Sequence, residues 1–240
     1  MLSAYAQHRH RFAAEVAGLD EDALAERSRC SEWSVADVLR HGCDVDRWMQ
    51  VIWAGEPLPF TTFDPRTTPN EWVMTGRSIP DAEVRDRYVA SAEVMAVDVG
   101  NSPGERWGLP SLSPLGFVPW WLSALHIFWD SWVHERDALL PLGVEVPVVD
   151  DETLPTLAYC LAVVGTFIHE PTDAVVAGVR LTIGEGPVTS AREAATADTG
   201  TDVATIIDAL SGRTTLEDAL PECDPQLLDR LGALTRMFHS

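Results

Sequence analysis

Asp130 and His134 stand four residues apart in the run Asp130-Ser131-Trp132-Val133-His134. On a helix that spacing stacks the two side chains on one face, about 6 Å apart, within reach of a single ion. A carboxylate and an imidazole are both good ligands for a borderline divalent metal such as Zn²⁺. His126 lies four residues earlier, so the face reads His-x-x-x-Asp-x-x-x-His. At ~1.5 Å rise per residue, His126 and His134 are about 12 Å apart along the axis, too far to share an ion with Asp130 between them. A metal on Asp130 and His134 therefore needs a third protein ligand from elsewhere, and His41 is the natural candidate. It falls mid-stripe on the inward face of another helix, where an unpaired polar ring is costly. The competing readings are structural. A histidine in an apolar stripe is commonly a satisfied core residue, and an i,i+4 Asp–His pair can be a plain surface contact. His8, His10 and His239 lie near the chain ends and are expected to be solvated.

These residues need helices to hold them. Residues 3–18 read as a first helix, with Phe12, Val16 and Leu19 on one side. Ser34 is a plausible N-cap with Asp37 three residues on, a variant of the capping box. Val38, His41, Val45, Trp48 and Ile52 follow at alternating spacings of three and four, one helical stripe ended by Gly55 and Pro57. Residues 56–80 read as a long loop with a turn of helix near Glu71–Arg77, and a helix follows from Asp81 to Val97. After a Gly- and Pro-punctuated stretch at 100–119, Pro119 starts a Trp-rich, largely buried helix to Leu139 that carries Asp130 and His134. Another apolar helix spans roughly 150–169. Beyond Pro171 the texture changes: VVAGVRLTIG reads as a strand, 188–197 as a weak second one, 203–211 as a helix capped by Asp202, and 225–238 as the last helix.

Composition narrows the function. The chain has 17 Lys+Arg against 37 Asp+Glu, a formal charge of −20, and every basic side chain except histidine is Arg. Such acidity argues against general affinity for nucleic acid or an anionic membrane. The absence of Lys excludes Schiff-base chemistry and a P-loop lysine, and hints at a GC-rich coding genome. No window approaches eighteen uninterrupted apolar residues, and the first residues lack a signal-peptide pattern, so a cytoplasmic protein is expected. Cys30, Cys43, Cys160 and Cys223 form no C-x-x-C pair and are expected to be reduced, mostly packed thiols.

Two stretches resemble a known family. Glu32-Trp33-Ser34-Val35-Ala36-Asp37-Val38-Leu39-Arg40-His41 is similar to the G-W-[ST]-V-x-D-[VL]-[LI]-x-H signature of DinB-like proteins of the mycothiol-dependent maleylpyruvate isomerase group. Trp132-Val133-His134-Glu135-Arg136-Asp137 looks like that group's E-x-W-V-H-x-x-D motif. Val118-Pro119 and Leu210-Ser211-Gly212-Arg213 match shorter features in the same order along the chain.

The resemblance implies a mainly α protein: a DinB-like four-helix bundle over residues 1–170, then a small α/β, sterol-carrier-like domain over 171–240. It puts the metal on His41 and His134, with Asp130 where the family has Glu, one methylene longer. Ile127 stands where many members have Arg; both departures bear on substrate specificity rather than fold. The implied cofactors are a divalent metal, Zn²⁺ by preference, and mycothiol or a similar low-molecular-weight thiol. A metal with three protein ligands keeps an open position for that thiol. Arg213 matches an Arg that helps bind substrate in the isomerase, although a helix-end cation meeting the dipole reads equally well. Asp137, three residues after His134, is a candidate to orient a ligand ring, and His126 is a second outer neighbour. Trp120, Trp121, Trp129 and Trp132 are candidates to wall an apolar pocket, with core packing as the default.

The expected activity is thus a metal-dependent, thiol-using isomerase or S-transferase acting on a small electrophilic, carboxylate-bearing substrate, as a monomer or homodimer. The alternative is a non-catalytic DinB-like small-molecule-binding protein with a degenerate metal site.

Overall fold

The computed structural model describes residues 1–57, 62–167, 171–184, 195–198 and 202–238. Their contacts divide into two compact units, Met1–Pro147 and Val148–Ser240.

In the first unit α1 (Leu2–Ala17), a short α2 (Glu21–Ala25), α3 (Val35–Ala54), α4 (Thr68–Gly76) and α5 (Asp81–Gly100) precede a hairpin of β1 (Pro110–Ser113) and β2 (Gly116–Pro119), which leads into α6 (Trp120–Leu139). The four long helices make the bundle: α1 packs on α5 and α6, and α3 packs on the same two. The expected start of α3 is observed in full. Ser34 Oγ accepts from the Asp37 amide and the Asp37 carboxylate accepts from the Ser34 amide, while Gly55 closes the helix in the left-handed region at φ 72°. Burial alone would raise the Asp37 pKa, but Arg77, the Ser34 amide and Arg40 hold its carboxyl below the usual range. Residues 110–119, which carry Gly and Pro and no periodicity, form the β1–β2 hairpin; Pro114 and Leu115 make its turn, and Gly116 opens β2 at φ 91°, a conformation that glycine adopts without strain.

The bundle core is layered. One apolar cluster gathers Phe12, Val16, Val38, Leu39, Tyr88 and Leu139. A second gathers Tyr5, Met49, Met95, Val99, Trp120 and Phe128. On every long helix the residues between these two sets include polar ones: His8 and Arg9 on α1, His41 and Asp46 on α3, Ser91 on α5, and Asp130, Ser131, His134 and Glu135 on α6. A polar layer therefore crosses the middle of the bundle. Gly42 lets α3 and α5 approach there, since a Cβ at that position would meet the Tyr88 ring at 2.7 Å.

The second unit holds α7 (Asp150–Gly165), a three-stranded antiparallel sheet of β3 (Thr172–Val176), β4 (Val179–Ile183) and β5 (Ala195–Asp198), then α8 (Val203–Leu210), α9 (Leu216–Ala219), α10 (Pro225–Leu231) and α11 (Ala233–Phe238). The expected boundary at 170 groups α7 with the bundle, whereas its contacts run to β4, β5, α8, α10 and α11. Val163 and Val164 are fully buried there, so an apolar helix found its partner in the small sheet. The run read as one strand is a hairpin: Ala177 (φ 49°) and Gly178 (φ 78°) turn the chain between β3 and β4, the two-residue turn with both φ positive that suits a twisted ribbon. β5 covers the described end of the weak second strand; residues 188–194, Ile168 and His239 lie outside the described residues. The expected last helix is two, α10 and α11, parted at Gly232. No described helix is long and apolar enough to cross a membrane.

Replacing Ser34 by Ala removes the cap that starts α3. Urea unfolding should show a loss of about 1 kcal/mol.

Candidate metal centre

α3 and α6 bring the three expected ligands together. His41 Nε2 lies 3.3 Å from Asp130 Oδ1, and His134 Nε2 lies 3.6 Å from the same oxygen. The two imidazole rings meet edge to face, with centroids 4.9 Å apart. One ligand atom from each of the three residues falls within 4.8 Å of the others. A histidine from the facing helix thus stands beside the i,i+4 pair of α6.

The surroundings fix the donors. His134 Nδ1 is 3.0 Å from Asp137 Oδ2, and Asp137 is fully buried. A carboxylate can only accept, so His134 carries a proton on Nδ1. Its Nε2 then turns a lone pair toward the Asp130 carboxylate, two donors that a cation between them would satisfy. His41 points the same way: Nε2 turns to Asp130, and its buried Nδ1 has no hydrogen-bond partner among the described residues. Burial pushes the Asp130 carboxyl up, but the neighbouring His41 and His134 outweigh it and hold the group well below the ordinary carboxylate range. Two imidazoles and an ionised carboxylate, one imidazole already oriented by a second carboxylate, are a donor set suited to Zn²⁺.

Trp33, one residue before the α3 cap, closes one side. Its ring centroid is 5.2 Å from that of His41 and 6.1 Å from that of His134, and its Nε1 donates to Asn70 Oδ1 on α4 at 3.0 Å. Behind the ligands is a cavity with room for about one water, lined by Arg9, Gly42, Asp46, Tyr88, Asp130 and His134 among others.

The remaining sequence candidates fall elsewhere. His126 is buried against the Trp129 ring, outside the three-residue group, and burial lowers its pKa to about 4 despite the Asp130 charge. Trp120 and Trp132 are core residues, at 2% and 0% exposure, so the pocket wall comes from Trp33 instead. Ile127, by contrast, is buried and lines the cavity behind the ligands. Arg213 belongs to the second unit, where its Nη1 donates to the Ser211 carbonyl at 2.7 Å, just past the end of α8.

Two features were missed. His8, expected in solvent, is fully buried on the inward face of α1, next to Ser131 (2.9 Å) and Glu135 (3.3 Å). The spacing Tyr5-x-x-His8-x-x-x-Phe12 carries that signal, because it puts His8 on the apolar stripe. Cys30 lies 3.3 Å from Asp137 Oδ2, across more than a hundred residues of chain, and no local pattern announces such a contact.

The chain thus combines a four-helix bundle carrying a His–Asp–His cluster in its polar layer with a smaller α/β unit. A sequence profile of the mycothiol maleylpyruvate isomerase N-terminal domain matches residues 5–139. The chain belongs to that family. Among solved structures it is similar to a mycothiol-dependent maleylpyruvate isomerase, with TM-score 0.59 and 16% identity over 90% of this chain and 89% of that one. A histidine-to-alanine mutant of such an isomerase gives TM-score 0.57 and 17% identity over 89% and 88%. Comparison with curated protein sequences gives no match.

The His126 shift has a consequence for acid stability. Folded His126 stays neutral down to about pH 4, while in an unfolded chain it takes a proton near pH 6.5. The unfolded state therefore binds more protons in that window, and stability falls as pH drops from 6.5 to 4. His126→Gln should flatten the urea-derived stability profile of metal-free protein, losing about 2 kcal/mol less between pH 7 and 4.5 than the parent.

Proposed function

We propose that this protein is a metal-dependent, thiol-using isomerase or S-transferase that works in the cytoplasm on a small electrophilic, carboxylate-bearing substrate. The observation that carries the reading is the convergence of His41 Nε2, His134 Nε2 and Asp130 Oδ1 on one point between α3 and α6. Family membership supplies the chemical context, with mycothiol or a similar thiol as the cofactor.

In this reading His41, Asp130 and His134 hold a divalent metal, preferably Zn²⁺. A bound zinc ion supplies the positive charge that keeps a coordinating thiol deprotonated at neutral pH. The protein's own groups do the rest. Asp137 accepts a 3.0 Å hydrogen bond from His134 Nδ1–H and so presents Nε2 to the site. Trp33 lies over both imidazoles and keeps bulk water from that side. His126, neutral and buried, adds no competing charge beside Asp130. Arg213 is the candidate to hold the substrate carboxylate by a paired hydrogen bond; in a chain of net charge −20, an acidic substrate needs such a local cation. Addition of the thiol across the substrate's activated double bond would leave a single bond able to rotate; loss of the thiol would then return the cis–trans isomer, and its retention would give a conjugate.

A second reading is favoured by one observation. Ile127 is buried in the core, so no charge stands at the helix position that is Arg in many relatives. A non-catalytic binding protein with the same fold fits that position equally.

Elemental analysis after expression with added zinc should find about one equivalent per chain, lost in His41→Ala and in His134→Ala. Protein without metal would sink the reading. Turnover of maleylpyruvate-like and other electrophiles should require an added thiol and fall with Arg213→Gln through a raised KM. Metal-loaded protein inert toward every thiol and electrophile tried would leave the binding-protein reading.

A further inference from the structure

The loop between α2 and α3 reaches the far side of His134. It is pinned to itself, because the Ser28 amide and hydroxyl both donate to the Trp33 carbonyl and the Cys30 amide donates to Ser28 Oγ. It is pinned to α6 too, through the Arg29 amide and the Asp137 carbonyl at 3.0 Å. This brings the Cys30 thiol to 3.3 Å from Asp137 Oδ2, the same oxygen that lies 3.0 Å from His134 Nδ1. Arg29 Nε stands 3.7 Å from the other oxygen. The carboxylate is fully buried, so its orientation is set by these neighbours and not by water.

We propose that Cys30 is a positioning residue for the metal centre: its S–H donates to Asp137, which in turn holds His134 with the proton on Nδ1 and Nε2 free for the ion. The proposal rests on the metal-centre reading above and extends it to a residue that touches none of the ligand atoms facing Asp130. Two donors on one carboxylate oxygen restrict its rotation. Loss of the thiol donor holds Asp137 less firmly against a turn toward Arg29, and the His134 tautomer is then set less firmly.

The same three side chains could instead make a metal position of their own, since Cys30 Sγ, Asp137 and His134 Nδ1 also lie within 4.8 Å of one another. The two arrangements exclude each other at His134, because an ion on Nδ1 displaces the proton that Asp137 accepts. They also differ in what Cys30 is: a thiol donor in one, a thiolate ligand in the other.

Zinc affinity, measured by chelator competition on the full chain, distinguishes them. Cys30→Ala should weaken binding about 3- to 10-fold, at or below the range for groups that contact a ligand directly. Cys30→Ser keeps a donor and should recover affinity to within about twofold of the parent. In an Asp137→Ala background, Cys30→Ala should have no further effect, because the thiol acts through that carboxylate. In metal-free protein, the imidazole nitrogen NMR shifts of His134 should move away from the Nδ1–H form in Cys30→Ala. Cobalt-substituted protein should show no thiolate-to-metal charge-transfer band. Unchanged affinity in Cys30→Ala, additivity with Asp137→Ala, or a thiolate band would each overturn the proposal. His134→Ala separates the two levels: if it keeps its metal, the metal-centre reading fails first and this proposal with it. If it loses metal while Cys30→Ala binds like the parent, only this proposal fails.

Discussion

A polar layer buried in the middle of a helical bundle constrains everything else in this protein. Arg9 Nη2 and Asp46 Oδ2 meet at 2.6 Å with almost no exposure, and Ser91 and Ser131 take further hydrogen bonds from or to the pair. Charges withdrawn from water in this way are tolerable only when paired and hydrogen-bonded with good geometry. A slip of one helix by a turn would strand several of them. The layer therefore sets the relative register of α1, α3, α5 and α6 more narrowly than the interchangeable apolar contacts on either side could. The His–Asp–His cluster occupies the part of that layer where α3 faces α6, and it inherits the precision.

The electrostatics of the cluster follow from that position. Asp130 stays ionised although largely withdrawn from water, because two imidazoles stand against it. Asp137, about two turns further along α6, is fully buried and faces the opposite edge of the His134 ring. One imidazole thus lies between two carboxylates, with its proton drawn to one side and its lone pair left on the other. Such an arrangement favours a cation over an empty polar pocket, and it does so inside a chain that is strongly acidic overall. Trp33, held by Asn70, and the capping box that begins one residue later tie this chemistry to the start of α3.

Local signals were legible wherever chemistry and helix geometry coincide. The Ser34–Asp37 box, the stripe through His41, the Gly55 stop and the i,i+4 pair on α6 all depend on neighbours within one or two turns. The misreadings differ in kind. The helix at 150–165 has an apolar surface that suits either a bundle or a sheet, and only its contacts in the second unit decide. Ala177-Gly178 looks like strand interior until both φ angles turn positive. His8 was misjudged from its nearness to the chain start, when its spacing from Tyr5 and Phe12 already put it inside.

By itself the sequence determined the mainly α character, the two helices that carry the candidate ligands and the residue types able to hold a metal, because periodicity and side-chain chemistry are local. The tertiary structure decided which atoms meet. Only the packing of α3 against α6 turns His41 toward Asp130, and only the loop before α3 brings Cys30 to Asp137. Pairings between residues some ninety to a hundred positions apart leave no mark on local spacing. They follow from the free energy of closing the whole core at once, with its charges paired, and no single segment carries that information.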